Sequence, residues 1–130
     1  MLVVVDTSVW VAYFRGQDLH VERNLDELID NDLVAIVPPV RLELILGCRK
    51  NQRASLVKRI DAVHSLPISE TTWKSAEECS MRLRDKRTTL GAVDVLIAAS
   101  VSEQKACLWT LDKDFAPLFK ARFVQPFRPD

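Results

Sequence analysis

The chain has 130 residues, which is about the length of one domain and enough to bury roughly two thirds of its unfolded surface. Hydrophobic residues make up 48% and charged residues 28% of it, a globular balance that excludes a disordered chain. The chain carries 18 Lys or Arg and 18 Asp or Glu residues, so its formal net charge is +0. This excludes a general polycation that holds nucleic acid by bulk charge, so any such contact must come from a local patch.

Cysteine usage and hydropathy predict a cytoplasmic protein. The three cysteines, Cys48, Cys79 and Cys107, are odd in number and follow no zinc-like or redox-like spacing, which suits a reducing compartment. No apolar run approaches the roughly 20 residues of a membrane span. The apolar run 2–5 meets Asp6 at once, with no basic region or cleavage site, which excludes a signal peptide.

Short β-branched runs alternate with helical patterns along the chain. In chain order, the first half contains a predicted strand at 2–5, helices at 9–14 and 20–29, a strand at 34–37, and helices at 40–46 and 54–63. The second half contains an edge strand at 65–68, helices at 69–83 and 90–103, a strand at 106–110, a helical turn at 114–119 and a strand at 123–125. This alternation predicts a single-domain, three-layer α/β/α fold with a mostly parallel sheet of roughly five strands.

Four acidic residues stand out against this pattern. Asp6 closes the first predicted strand, and Asp112 comes just after the strand at 106–110, so both are predicted at the carboxyl edge of the sheet, where ligands bind in such folds. Glu43 and Asp94 lie in otherwise apolar helices, where a carboxylate is costly to bury unless something compensates it. A hard divalent cation held by oxygen ligands would explain the arrangement.

Each acid also has a simpler interpretation. Asp6 could only cap a helix, and Asp94, near a helix start, could only favour the helix dipole. Glu43 could face solvent, and Asp112 and Asp114 could be solvated in a turn. The hypothesis of a shared site rests on the combination, in which two strand-end acids and two acids on apolar helices can converge.

The order and separation of four sequence segments resemble the PIN-domain family, and more narrowly the VapC-type toxins of bacterial and archaeal type II toxin–antitoxin pairs. These segments are Met1–Trp10, Arg41–Leu44, Gly91–Ala99 and Thr110–Phe115. The resemblance runs through nearly the whole chain and implies one PIN domain over residues 1–130. One departure is visible: members often have a glycine between basic residues ahead of the third segment, where this chain reads Arg-Asp-Lys-Arg-Thr-Thr over 84–89.

The resemblance implies an endoribonuclease that depends on Mg²⁺ or Mn²⁺. Carried over by motif, the catalytic residues are Asp6, Glu43, Asp94 and Asp112, of which Asp6, Asp94 and Asp112 are metal ligands. The accessory residues are Asp114, Thr110 and Ser8, with Thr110 as a hydrogen-bonding partner of the carboxylates. The two histidines, His20 and His64, lie in no motif segment, so the carboxylates would have to work through metal.

Basic residues on either side of the acids are candidates for contacts with RNA phosphates. They are Arg41, Arg49, Lys50 and Arg53 after the first helix acid, and Arg82, Arg84, Lys86 and Arg87 before the second. We favour Arg87, which stands just ahead of the Asp94 helix, followed by Arg41. Single-stranded or looped RNA is the expected substrate class, because sequence-specific recognition mostly targets exposed bases.

The resemblance also implies partners: a homodimer, and a small VapB-type antitoxin whose C-terminal tail covers the acidic cleft, often with an Arg among the acids. Trp10, Tyr13 and Phe14 have three interpretations: core residues, the lining of an antitoxin groove, or a dimer face.

The alternative function is a catalytically silent PIN-like module that only binds RNA or protein, although none of its four acids is missing. A phosphatase or phosphotransfer receiver fits less well. A phosphatase would have a second Asp where Ser8 stands, and the run 34–38 lacks the acid of a receiver.

Overall fold

The computed structural model describes residues 1–130, and a five-stranded sheet lies at its centre. The strands are β1 (Val3–Val5), β2 (Val34–Ile36), β3 (His64–Ser65), β4 (Cys107–Trp109) and β5 (Gln125–Pro126). Their order across the sheet is β3-β2-β1-β4-β5, and every neighbouring pair is parallel. The chain builds outward from β1 in one direction and then returns to its other side with β4. The point between β1 and β4 is therefore the switch point beyond which ligands bind in open parallel sheets.

Seven helices surround the sheet and confirm the predicted α/β class. They are α1 (Thr7–Arg15), α2 (Leu19–Asp30), α3 (Pro38–Gly47), α4 (Arg53–Asp61), α5 (Glu70–Arg84), α6 (Ala92–Glu103) and α7 (Ala116–Lys120), with 3₁₀ turns at Lys50–Gln52 and Lys113–Phe115. Helix α1 packs against α2 and α3, and α5 packs along α6. None of these helices is long and apolar enough to span a bilayer.

The core consists of the central strands and the helix faces packed on them. All residues of β1, β2 and β4 are buried, as expected for parallel strands covered on both faces. Trp10 is only 1% exposed, so its core interpretation is correct. Phe14 stacks on Trp10 at a ring distance of 5.6 Å and remains partly exposed.

Element boundaries differ from the predictions where proline and glycine act. The third strand is His64–Ser65, not 65–68, because Pro67 cannot donate to a ladder; its carbonyl instead accepts a hydrogen bond from Ser100 Oγ at 3.2 Å. Helix α3 begins at Pro38 rather than 40, since proline suits the first helical turn. Helix α6 begins at Ala92 rather than 90, with Gly91 as its N-cap. The last strand lies at 125–126 rather than 123–125.

Candidate functional site

Asp6 anchors the candidate site at the end of β1. Its backbone N–H donates to the Trp109 carbonyl at 2.9 Å, which ties the end of β1 to β4. Asp6 stands at the N-cap position of α1, but its side chain makes no capping hydrogen bond. Instead its Oδ2 accepts hydrogen bonds from Ser8 Oγ at 3.0 Å and Thr110 Oγ1 at 2.8 Å. The simpler helix-cap interpretation therefore does not account for the direction of this carboxylate.

The same two hydroxyls fix the loop that follows β4. Ser8 Oγ accepts from the backbone N–H of Leu111 at 2.9 Å, and Thr110 Oγ1 accepts from that of Asp112 at 3.0 Å. Each hydroxyl thus donates its one proton to Asp6 and accepts a hydrogen bond from a backbone N–H of the loop. Asp112 in turn accepts from the Asp114 N–H at 2.9 Å and caps the 3₁₀ turn. The buried acid and the exposed acids beyond β4 consequently form one connected network.

Asp94 enters this network from the first turn of α6. Asp94, Asp112 and Asp114 each place one carboxylate oxygen so that all three lie within 4.8 Å of one another. These three residues are called the carboxylate cluster below. Asp6 is not a member of the cluster, although it is among the charges that act on Asp94. The structure therefore brings the three exposed or half-exposed acids closest together and sets the buried Asp6 beside them.

Burial and mutual repulsion raise the pKa of two acids at this site. The pKa of Asp94 rises from 3.8 to about 6, first because of burial and then because of the charges of Asp112, Asp6, Asp114 and Glu43. A carboxylate stabilised by the α6 dipole alone would shift in the opposite direction. Burial and the neighbouring negative charges therefore outweigh any stabilisation of the Asp94 carboxylate by the α6 dipole.

Glu43 reaches the site from α3. Its side chain is exposed, as the solvent-facing interpretation expected, yet its pKa is raised by partial burial, then by Asp6, with a smaller contribution from Asp112. The neighbouring Thr7 hydroxyl lowers that pKa, although Thr7 Oγ1 meets no hydrogen-bond geometry and is left buried without a partner. Glu43 thus belongs electrostatically to the site while lying outside the carboxylate cluster.

The donor set fits a hard divalent cation. All the candidate ligands are carboxylate oxygens, which Mg²⁺ and Mn²⁺ prefer. No Lys or Arg forms an ion pair with any of these acids, because the ion pairs of the structure are Arg41–Asp61 and His64–Asp32. These carboxylates repel one another at the carboxyl edge of the sheet, and a bound cation would compensate their charge.

Comparison with known proteins identifies the family of this chain. The sequence model of the PIN domain matches residues 3–118. The chain belongs to the PIN domain family. It is 34% identical over 113 residues to ribonuclease VapC32 of Mycobacterium tuberculosis, covering 86% of each protein. It is 30% identical over 117 residues to ribonuclease VapC19 of the same organism, covering 89% of this chain and 93% of the relative.

A solved structure shows the same fold. The crystal structure of VapBC2 from Rickettsia felis, bound to a DNA fragment from its promoter, superposes with a TM-score of 0.82 at 24% identity and covers 100% of both chains. The family match and the two VapC relatives confirm the resemblance to VapC-type proteins that the four sequence segments indicated.

The basic candidates of this PIN domain lie outside the acidic network. Arg87 is exposed in the loop between α5 and α6, with a left-handed backbone at φ 58°. The guanidinium of Arg41 pairs with Asp61 of α4 at 2.5 Å. His20 Nε2 lies 2.6 Å from the Asp130 carbonyl oxygen and His64 Nε2 lies 3.1 Å from Asp32 Oδ1, so neither histidine joins the acidic network.

Two residues of the site escaped the sequence analysis. A Cβ on Gly91 would lie 3.2 Å from Asp94 Oδ2, so the small residue leaves room for that carboxylate. Thr7, between Asp6 and Ser8, faces Glu43. Thr7 adjoins two predicted site residues, and Gly91 opens the Gly91–Ala99 segment three residues before Asp94, but nothing else in the sequence singles them out.

Proposed function

We propose that this PIN domain is a metal-dependent endoribonuclease and acts as the toxin of a toxin–antitoxin pair. The carboxylate cluster carries the proposal: its oxygens lie within 4.8 Å of one another, beside buried Asp6 and without any Lys or Arg partner. Two relatives that cover most of the chain are named ribonucleases. Such a site suits phosphodiester hydrolysis better than nucleophilic catalysis, since it offers no paired nucleophile and base.

Asp6, Asp94 and Asp112 are the proposed ligands of Mg²⁺ or Mn²⁺, with Asp114 as an accessory acid. When bound, the cation lowers the pKa of a water and neutralises charge on the leaving oxygen. Ser8 and Thr110 hold Asp6 in one orientation through its Oδ2. Residues fixed in this way lose little freedom when a ligand arrives.

Glu43 is proposed as the proton acceptor of the site. Its carboxyl lies apart from the carboxylate cluster, and its pKa is raised, which makes the carboxylate a better base near neutral pH. Arg87 and Arg41 are the proposed phosphate contacts, and single-stranded or looped RNA is the proposed substrate.

A VapB-type antitoxin and a second copy of the chain are the proposed partners, in the cytoplasm. Solved relatives of this fold are described as VapBC complexes. The acid-rich edge would attract a cationic segment, and an Arg can donate two parallel hydrogen bonds to a carboxylate. Leu42 and Leu46, one turn apart on α3, are 59% and 77% exposed, and a second protein chain would cover them.

The decisive experiment incubates the purified chain with structured RNA in Mg²⁺, in Mn²⁺ and in EDTA, beside the Asp94→Asn variant. We expect cleavage by the wild type with metal and none in EDTA. Cleavage that persists unchanged in EDTA would overturn the proposal. RNA binding without cleavage in both metals would instead favour the silent module.

A further inference from the structure

A cationic groove lies along α4 and the 3₁₀ turn that precedes it. It has a volume of about 770 Å³ and is lined by Lys50, Arg53, Ala54, Val57, Lys58 and Asp61. This surface is called the α4 groove below. Its three basic side chains are exposed, and two small apolar residues lie between them.

The groove lies in the segment where positive charge is concentrated. Residues 44–69 contain five Lys or Arg against the single acid Asp61. On a chain whose formal net charge is +0, this segment is a local surplus of positive charge, and the remaining residues carry the matching negative surplus. A local patch of this kind is what a neutral protein needs to hold a polyanion.

Few of these charges are used within the protein. The guanidinium of Arg41 neutralises Asp61 at 2.5 Å. Arg59 lies 5.9 Å from the centre of the Tyr13 ring and donates to its hydroxyl at 3.2 Å. Lys50, Arg53 and Lys58 form no ion pair. The groove therefore presents three solvated cations and a single acid that is already paired.

Helix α3 separates the groove from the acidic site. Arg41 pairs with Asp61 at the end of the groove, whereas Glu43, two residues later, is acted on by Asp6 and Asp112. Residues two apart point to different sides of a helix, and a helix with its side chains is about 10–12 Å wide. By this reasoning the groove begins about one helix width from Glu43, a separation that an extended polyanion can span.

We propose that the α4 groove binds the phosphate backbone of the RNA strand next to the segment held at the carboxylate cluster, an inference that rests on the proposed ribonuclease function. The acids repel phosphates, so affinity for RNA has to come from elsewhere on the chain. RNA explains the groove better than an acidic protein because a single RNA strand would contact the groove and the carboxylate cluster together.

The test measures binding of a labelled single-stranded RNA in EDTA over a series of NaCl concentrations, so that cleavage plays no part. The probe variant is Lys50→Gln/Arg53→Gln, at two exposed positions. The control is Lys74→Gln/Lys120→Gln, which removes the same charge at exposed positions of α5 and α7. Each lost phosphate contact lowers the slope of log affinity against log salt by about 0.7. We expect the probe variant to lose about 1.4 from the slope and to bind roughly threefold to tenfold more weakly.

The control should bind like the wild type. Equal losses in both variants would overturn the proposal, since the effect would then be one of net charge. An unchanged slope in the probe variant would also overturn it. So would a probe variant that binds RNA like the wild type but binds a polyglutamate peptide more weakly, because the groove would then be a site for an acidic protein. If the wild type cleaves no RNA with Mg²⁺ or Mn²⁺, the ribonuclease function is refuted. The binding measurement in EDTA still decides whether the α4 groove holds RNA, because it does not depend on cleavage.

Discussion

The two halves of the acidic site tolerate negative charge in different ways. Asp6 is only 5% exposed, and two hydroxyl donors compensate its burial. The carboxylate cluster has one internal donor, the Asp114 N–H, no Lys or Arg ion-pair partner, and a raised pKa at Asp94. The negative charge of Asp6 is compensated within the protein and that of the cluster is not, so the cluster is the half that a bound cation would stabilise more. Substitutions in the two halves should therefore change stability in opposite directions.

The largest expected effect is that of Asp94→Asn, which removes one charge from the carboxylate cluster with little change in shape. Two unit charges about 5 Å apart at an effective dielectric of ~20 repel by about 3 kcal/mol, before solvent screening reduces the figure. The metal-free variant should therefore be at least as stable as the metal-free wild type, while RNA cleavage falls by about a hundredfold or more.

Thermal melts with and without Mg²⁺, paired with a cleavage assay, check this expectation. Mg²⁺ should raise the melting temperature of the wild type by mass action and that of the variant less. The dipole interpretation expects the reverse, a less stable metal-free variant with its activity kept. An active Asp94→Asn protein would remove the residue from the site.

Thr110→Val tests the satisfied half with a side chain of nearly the same shape. The change removes a donor to Asp6 and the acceptor of the Asp112 N–H. Leaving such groups unpaired costs about 1–3 kcal/mol, so this variant should be less stable, in contrast to Asp94→Asn. Cleavage should fall by roughly tenfold to a hundredfold, because Asp6 and the loop lose their fixed positions.

Ser55→Ala, which removes an exposed hydroxyl on α4, is the control for this measurement. Denaturant unfolding and cleavage rates of the three proteins should be compared in the same buffer. A Thr110→Val protein as stable as the control would mean that the hydroxyl network does not hold the site together.

The sequence predicts most of the architecture for identifiable reasons. Strands β1, β2 and β4 are continuous apolar runs, the pattern of parallel strands buried on both faces. The two edge strands are only two residues long, so their position depends on which backbone groups meet a neighbouring strand. The pattern of side chains along the sequence does not determine which backbone groups pair, so the predicted bounds of these two strands differ from the observed ones.

The candidate site also has features that the sequence predicts and features that it does not. Parallel topology brings strand-end acids to one edge, so the proximity of Asp6 and Asp112 is predictable from position alone. The separation of Asp6 from the carboxylate cluster depends on the direction that Ser8 and Thr110 give to its side chain. Such directions follow from hydrogen-bond geometry across elements distant in sequence, which motif spacing does not contain.

The pH dependence of metal-free stability should identify the unsatisfied half. The carboxyl of Asp94 titrates at about 6 in the folded chain against an ordinary value of 3.8. Between these values the folded chain binds more protons than the unfolded chain, so its free energy of unfolding falls as pH rises from about 4 to about 7. Below that window both states are protonated and the penalty is absent.

Denaturant unfolding in EDTA at a series of pH values measures this effect. The difference between wild type and Asp94→Asn reports the titration of Asp94 together with its coupling to the neighbouring acids, because titrations elsewhere in the chain are shared by the two proteins. The wild type should lose stability relative to the variant as pH rises. A difference that stays constant across the window would show that Asp94 carries no unfavourable charge in the folded protein.

The smallest expected effect concerns Gly91, whose missing side chain leaves room beside Asp94. A Cβ there would lie 3.2 Å from Asp94 Oδ2, so Gly91→Ala should displace the carboxylate by a few tenths of an ångström. The backbone at φ −81° and ψ 135° accepts alanine without strain, and stability should change by no more than about 1 kcal/mol. Cleavage and Mg²⁺ affinity should nevertheless fall severalfold, because ligand geometry controls a site that demands near-ideal octahedral coordination.

Gly47→Ala is the matched control, since a Cβ at that position meets nothing within 4 Å. It should leave cleavage unchanged and stabilise the end of α3 by up to about 1 kcal/mol. Mg²⁺-dependent melts and cleavage rates of both variants distinguish a local displacement from a general effect of added methyl groups. Unchanged Mg²⁺ affinity in Gly91→Ala would mean that the cluster adapts freely to its surroundings, and Asp94 would then be held less rigidly than Asp6.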